Sequence, residues 1–163
     1  MVPDSVNSIE TAVFSDCSSL TSIVLPNGIK TISNSMFSGC QKLADIDLPD
    51  SVTRIGTLAF AQCAALQGID IPEGVTDIGY YAFDQCTSLQ RIVIPDGTVN
   101  IGSYSFSSCS SLTGIRIPES VVSIGTSAFD DCREELIIYG VAGSYAETYA
   151  QENGITFEVG EMP

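Results

Sequence analysis

A constant step of 23 residues separates the prolines, the cysteines and the phenylalanines of this chain of 163 residues. The three series are Pro3, Pro26, Pro49, Pro72, Pro95 and Pro118; Cys17, Cys40, Cys63, Cys86, Cys109 and Cys132; and Phe14, Phe37, Phe60, Phe83, Phe106 and Phe129. A short period without insertions predicts stacked supersecondary units, each resting on its neighbours. We therefore predict a mainly β solenoid that forms one domain over residues 1–163, with repeats over 3–132 and a C-terminal cap over 133–163.

Each repeat contains a leucine followed by two aliphatic residues that alternate with variable ones, as at Leu66, Ile69 and Ile71. This alternation predicts a β-strand with the aliphatic side chains inward and the variable ones outward. The following proline, Pro72 in this repeat, ends the strand because it has no N–H to donate. Stacked repeats should place like residues in continuous ladders about 4.8 Å apart.

A second apolar pair, such as Val52 and Ile55, predicts a shorter strand or extended segment in each repeat. Phenylalanine and cysteine lie three residues apart, as at Phe83 and Cys86, and this spacing fits a 3₁₀ or irregular turn. The fifth repeat has Thr98–Val99 where the others place the apolar residue first. We expect a local backbone adjustment there.

A different pattern follows the last repeat. Ser144 and Glu147 match a helix capping box, and Gly154 is a typical helix stop. We predict a helix over residues 144–153 that covers the last coil, as solenoid ends require. Its core-facing stripe is expected to be Tyr145, Ala146, Tyr149 and Ala150, and the alternating Ile155, Phe157 and Val159 predict a final strand.

The periodic residues resemble the leucine-rich repeats of the BspA-like bacterial surface-protein family, most clearly from Leu89 to Pro95 and from Val121 to Cys132. The resemblance covers Pro3 to Cys132. It implies a curved right-handed solenoid with a parallel sheet on its concave face, no shared active site, and a role in surface attachment or protein binding. No export signal is visible at the N-terminus, so an extracellular or cell-surface location is expected from the resemblance alone.

The charge balance makes two classes of partner, nucleic acid and membranes, unfavourable. The chain has 6 basic and 20 acidic residues and a net charge of -14, which repels nucleic acid and anionic lipid surfaces. No apolar run approaches the roughly 20 residues that a membrane span requires. We therefore expect neither nucleic-acid binding nor membrane insertion.

Six cysteines would ordinarily suggest disulfides or a metal site. Their equal spacing favours six buried, reduced thiols instead. Stacked coils bring neighbouring cysteines close enough at Cα, but the parallel side chains are misdirected for a disulfide, which needs Cβ atoms about 3.8 Å apart. Partial oxidation or metal binding is the alternative. Acidic residues follow most prolines, at Asp4, Asp50, Glu73, Asp96 and Glu119. They fit turn chemistry better than calcium binding, because no calcium-loop spacing is present, so we expect no cofactor.

The outward positions of the main strands form the candidate binding face. These residues are Ser22, Val24, Asp45, Asp47, Asp70, Arg91, Val93 and Arg116. The face is predicted to be acidic in the early coils and basic in the later ones, and a repeat protein commonly binds through such a sheet. An ordinary solvated face is the alternative.

The sequence offers little for catalysis. It has no histidine, the most usual general base, and nothing in it meets the requirements of an active site. We expect a non-enzymatic module that binds a protein or glycan for adhesion. The alternatives are a structural spacer or a homodimerising scaffold, because the chain starts partway through a coil at Val2 and leaves an uncapped N-terminal coil.

Overall fold

The computed structural model describes residues 2–163, and it shows a stack of six coils followed by a helix and a strand. We number the coils 1 to 6 from their first residues, which are Pro3, Pro26, Pro49, Pro72, Pro95 and Pro118. The secondary-structure elements are β1 Thr31–Ile32, β2 Arg54–Ile55, β3 Asp77–Ile78, β4 Arg91–Val93, β5 Asn100–Ile101, β6 Gly114–Arg116, β7 Ser123–Ile124, β8 Ile137–Gly140, α1 Tyr145–Asn153 and β9 Thr156–Val159. The solenoid that the period predicted is confirmed.

The shorter predicted strands form the sheet with the larger number of strands. Five parallel strands pair in the order β1-β2-β3-β5-β7, and each pairs with the next at a step of 23 residues, as Ile55 does with Ile78. The longer strands form a second parallel sheet in the order β4-β6-β8-β9. Its first strand, β4, lies in coil 4. In the earlier coils the equivalent positions are joined by one isolated bridge, between Val24 of coil 1 and Asp47 of coil 2.

The phenylalanine and cysteine segment is an irregular turn and not a 3₁₀ helix. Leu58 and Gln62 flank Phe60 with left-handed φ values of 58° and 62°, and equivalent pairs recur along the stack. The Phe60 N–H donates to the carbonyl of Ala82 in the next coil at 2.8 Å. Hydrogen bonds of this kind between coils hold a conformation that non-glycine residues adopt only at a cost.

Phenylalanine rings form a continuous column through the interior. Neighbouring rings from Phe14 to Phe129 are stacked, with centroids 5.2 to 5.5 Å apart. Tyr149 of α1 closes the column by packing edge-on against Phe129 at 5.9 Å. Each coil therefore buries its aromatic residue against the next one, as the ladder prediction required.

The thiols form a second ladder, and all six are free. Each thiol from Cys40 to Cys132 donates to the phenylalanine carbonyl 26 residues earlier; for example, Cys86 Sγ lies 3.2 Å from the Phe60 oxygen. The prediction that all six are buried is wrong at the ends, because Cys17 is exposed and Cys132 only partly buried. Cys17 lies in the first described coil, where residues 2–163 supply no earlier phenylalanine carbonyl.

The expected backbone adjustment in coil 5 is wrong. Thr98 takes the buried position that Val75 has one coil earlier, and its side chain is fully buried. Its hydroxyl donates to the Val75 carbonyl at 2.8 Å, and β5 keeps the common register with β3 and β7. The hydrogen bond allows threonine to replace valine, so no shift of the backbone is needed.

Ser105 is the one residue between 2 and 163 with a buried side-chain oxygen that lacks a partner. Alanine stands at the same position of the flanking coils, at Ala82 and Ala128. Because an unsatisfied buried hydroxyl is unfavourable, we expect Ser105→Ala to raise the free energy of unfolding by about 1 kcal/mol in urea titrations. Ser120→Ala should lower it, since the Ser120 hydroxyl donates to the Thr98 carbonyl at 2.7 Å. A destabilised Ser105→Ala protein would contradict this assignment.

The predicted cap is present in the expected place. Ser144 caps α1 by accepting from the Glu147 N–H, and Gly154 ends the helix in the left-handed conformation. The Glu147 carboxylate accepts from the Gly143 N–H at 2.6 Å, one residue before the position that a capping box predicts.

One side chain of the cap helix, that of Tyr145, does not face the core as predicted. Tyr149 is buried, but Tyr145 is 44% exposed. The buried positions of α1 are Ala146, Tyr149 and Ala150, a stripe narrower than predicted, and Tyr145 lies at its edge. Val159 at the end of β9 is 68% exposed.

Candidate functional site

The outward residues of the longer strands, and the residues at the equivalent positions of coils 1 to 3, lie in two rows, which we call the strand face. One row contains Ser22, Asp45, Gly68, Arg91 and Gly114, and the other contains Val24, Asp47, Asp70, Val93 and Arg116. Direct pairings fix the register at Val24 with Asp47, Arg91 with Gly114, and Val93 with Arg116. The structure therefore brings all eight predicted residues onto this surface.

An open groove of about 610 Å³ crosses the strand face over coils 2 to 4. Its rim carries the carboxylates of Asp45, Asp47, Asp70 and Glu73 and the guanidinium of Arg91. All four acidic residues are exposed, and none forms an ion pair within residues 2–163. Isoleucine side chains at the inward positions of these coils, such as Ile69 and Ile92, also line the groove.

Gly68 leaves a notch in the middle of this groove. A Cβ atom added there would meet no heavy atom within 4 Å, so the space above the backbone is open. Sequence reasoning assigned Glu73 to turn chemistry and missed Gly68, Tyr139 and Met162. A usable signal for Gly68 was present, since glycine replaces a side chain at an outward position that carries Asp45 and Arg91 in the adjacent coils.

The basic end of the face is not free, contrary to the expectation for Arg116. Its guanidinium lies 2.8 Å from an Asp96 oxygen and 2.9 Å from a Glu161 oxygen, and the side chain is only 19% exposed. The hydrogen bond that Arg116 donates to Asp96, followed by the charges of both carboxylates, raises the Arg116 pKa. Arg116 therefore already has two anionic partners within the chain.

The segment after β9 also occupies this end of the face. Arg91 donates through Nη1 to the backbone oxygen of Pro163. Met162 lies over Gly114, so close that an added Cβ would be 3.0 Å from its sulfur. Residues 161–163 thus contact the arginine half of the strand face, at Arg91, Gly114 and Arg116. The carboxylate half, at Asp45, Asp47 and Asp70, has no ion-pair partner among residues 2–163.

A second depression lies over the shorter strands, along the row of Gly79, Gly102 and Gly125. Its charged groups are Arg54 and Asp77. The carboxylate is already hydrogen-bonded, because Asp77 accepts from Thr76 Oγ1 at 2.7 Å and from Asn100 Nδ2 at 2.8 Å. These two hydrogen bonds are the main reason that the Asp77 pKa is lowered. The groove of the strand face, with its unpaired carboxylates, is the better candidate.

Within the described part of the chain, no three acidic or thiol side chains converge in a way that could hold a metal ion. No helix of residues 2–163 is long and apolar enough to cross a bilayer.

Comparison with known families shows that the BspA type leucine rich repeat region matches residues 7–136 in six copies. Comparison with curated proteins gives no match.

Solved bacterial structures resemble the whole stack. A leucine-rich repeat protein from Bacteroides ovatus is 30% identical, with a TM-score of 0.75 over 95% of this chain and 41% of its own length. A leucine rich cell surface protein from Faecalibacterium prausnitzii is 37% identical, with a TM-score of 0.71 over 86% of this chain and 36% of its own. The T. pallidum leucine rich repeat protein is 28% identical, with a TM-score of 0.68 over 92% and 78% respectively. The chain thus spans less than half the length of the first two.

Proposed function

Since the chain belongs to the BspA type leucine rich repeat family, we propose that it is a non-enzymatic binding module that holds a protein ligand in the groove of its strand face. The observation that carries this proposal is the set of unpaired carboxylates around that groove, at Asp45, Asp47, Asp70 and Glu73. Similarity to a cell surface protein supports a place for the module at the cell surface or outside the cell.

The charge of the groove indicates the chemistry of the ligand. Several carboxylates on one rim attract a basic segment, and they raise its association rate at low ionic strength. The notch at Gly68 accepts a side chain beside these charges, because nothing fills the space above it. A segment that combines lysine or arginine with one apolar side chain therefore fits the groove better than a neutral glycan does.

Binding of fluorescent peptides tests the proposal. The probes are an extended peptide library with two basic residues and one aromatic residue at varied spacings, and the same library with glutamate in place of the basic residues. We expect saturable binding of basic members only, weakening as salt is raised. The variant Asp45→Asn/Asp47→Asn/Asp70→Asn should bind at least about tenfold more weakly, because three attractive charges are lost.

Two further variants distinguish binding in the groove from attraction by the overall negative charge of the protein. Asp130→Asn/Asp131→Asn/Glu134→Gln removes the same charge at exposed positions outside the groove and should leave binding nearly unchanged. Gly68→Phe should abolish binding without loss of stability, since it fills the open notch. Equal weakening by both triple variants, or no saturable binding by any peptide, would contradict the proposal and favour a structural spacer.

A further inference from the structure

The residues after β9 make the contacts that a bound peptide would make. β9 ends at Val159, and the Gly160 N–H donates to the Gly140 carbonyl at 2.9 Å. Gly160 has a φ of 124°, a conformation that glycine adopts readily and other residues do not. This turn directs residues 161–163 back across the strands towards the earlier coils.

Each of the three residues beyond this turn has its own partner on the strand face. The Glu161 carboxylate pairs with Arg116 at 2.9 Å in coil 5. The Met162 side chain lies over Gly114, near the Tyr139 ring. The Pro163 oxygen accepts from Arg91 in coil 4. The segment therefore runs across the strands, with a carboxylate, an apolar side chain and a backbone oxygen in sequence.

Gly114 leaves a depression in this half of the face, which the apolar side chain of Met162 occupies. An added Cβ would lie 3.0 Å from the Met162 sulfur and 3.3 Å from the Tyr139 ring, so any larger residue would displace the Met162 side chain. The other two groups that residues 161–163 contact are the guanidinium groups of Arg91 and Arg116. The surface is thus built for a segment with an acidic residue followed by an apolar one.

The contacts of residues 161–163 are weak enough to be exchanged. The Glu161 side chain remains 79% exposed while it pairs with Arg116, and exposed ion pairs contribute little to stability. Met162 is only partly buried. A partner that offers the same groups on a longer segment gains additional contacts in the open groove next to Arg91.

We propose that residues 160–163 form a displaceable strap on the arginine half of the strand face. When the strap is displaced, an extended acidic segment of a partner protein binds in its place. The inference goes beyond the proposed function, which concerns the carboxylate half of the face. Together the two halves fix the direction of a partner segment, basic towards coil 2 and acidic towards coil 5.

Release of the strap tests the inference. Glu161→Gln/Met162→Gly removes the two side-chain contacts of the strap and leaves every residue of the strand face in place. The probe is a fluorescent peptide, Gly-Gly-Glu-Met-Pro-Gly-Gly, with a matched peptide that has Gln in place of Glu. The released protein should bind the Glu peptide at least about tenfold more tightly than the unmodified protein, because no strap competes. It should bind the Gln peptide much more weakly.

Two face variants locate the binding. In the released protein, Arg116→Gln should remove the preference for the Glu peptide. Gly114→Val should abolish binding, because the valine side chain fills the depression in which the methionine of the peptide binds. Asp45→Asn/Asp47→Asn/Asp70→Asn should not weaken binding of the acidic peptide. Failure of the unmodified protein to bind basic peptides would therefore count against the proposed function alone, and failure of the released protein to bind the Glu peptide would count against the strap alone.

Methionine methyl NMR reports on the strap directly. The chain has 3 methionines, so the Met162 methyl signal can be assigned by its absence from the Met162→Gly variant. We expect a nuclear Overhauser effect between this methyl group and the Tyr139 ring, which disappears when excess Glu peptide is added. Absence of that effect in the free protein, or equal affinity of the released and unmodified proteins for the Glu peptide, would overturn the inference.

Discussion

Replacing Gly79 with alanine is expected to lower the free energy of unfolding by about 3 kcal/mol. The new Cβ would lie 2.6 Å from the carbonyl carbon of Gly56 and 2.6 Å from the nitrogen of Thr57. Both atoms belong to the backbone of the preceding coil and cannot rotate away. The two coils must separate locally, and this weakens the hydrogen bond from the Gly79 N–H to the Ile55 carbonyl at 2.9 Å.

Gly68→Ala is the matched control, because a Cβ at Gly68 meets nothing within 4 Å. Chemical denaturation of the two variants and the unmodified protein measures the difference. Gly102→Ala and Gly125→Ala should resemble Gly79→Ala, since their added Cβ atoms would also lie under 3.0 Å from backbone atoms of the preceding coil. Equal stability of the Gly79→Ala and Gly68→Ala proteins would show that the coils are not packed this closely.

The thiol ladder should make the protein lose stability steeply above pH 9. Burial raises the pKa of Cys63 from 9.0 to about 12 and raises the pKa values of Cys86 and Cys109 as well. In the unfolded chain these thiols ionise above pH 9, whereas in the folded protein they stay protonated. The stabilisation is therefore complete below that pH and is lost as the pH rises. Each thiol contributes up to about 1.4 kcal/mol per pH unit, so the three together contribute about 4 kcal/mol per pH unit.

Urea denaturation between pH 8 and 10.5, with a reductant present, measures this slope. The Cys86→Ala variant should be less stable at neutral pH and should show a shallower slope, by about 1.4 kcal/mol per pH unit. Cys17→Ser is the control, because Cys17 is exposed and should not affect the slope. A stability that stays constant through this range, or a slope that Cys86→Ala does not change, would contradict the buried thiol ladder.

The interior could be predicted from the sequence because each interior position repeats. A step of 23 residues places Phe60, Phe83 and Phe106 over one another whatever the details of the turn. The helix was predictable for a local reason, since the Ser144 cap and the Gly154 stop act through the backbone nearby. In both cases the information lies in a pattern that neighbouring coils or neighbouring residues share.

Features that depend on a position within the stack could not be predicted from the period. Cys17 and Cys86 have the same place in the repeat, yet among residues 2–163 only Cys86 of these two reaches a phenylalanine carbonyl of an earlier coil. Thr98 was misjudged for a different reason. Hydropathy does not show that the Val75 carbonyl lies within reach of its hydroxyl.

The candidate site could be predicted only in part. Alternation placed Asp45 and Arg91 on one face, because outward positions follow from the strand period. The occupation of Arg116 by Glu161 is a contact between residues 45 positions apart, and it lies outside the repeat, where no periodic signal exists. Glycine at positions 68 and 114 shapes the face by having no side chain, which a search for chemical groups overlooks.

The register of the coils is the claim on which both the interior column and the strand face depend. Ring-to-ring nuclear Overhauser effects with selectively labelled phenylalanine test it most directly. We expect the Phe60 ring to contact those of Phe37 and Phe83, whose centroids lie 5.4 and 5.3 Å away, and to show no contact with Phe106. A contact between Phe60 and Phe106, or none between Phe60 and Phe83, would contradict the stack.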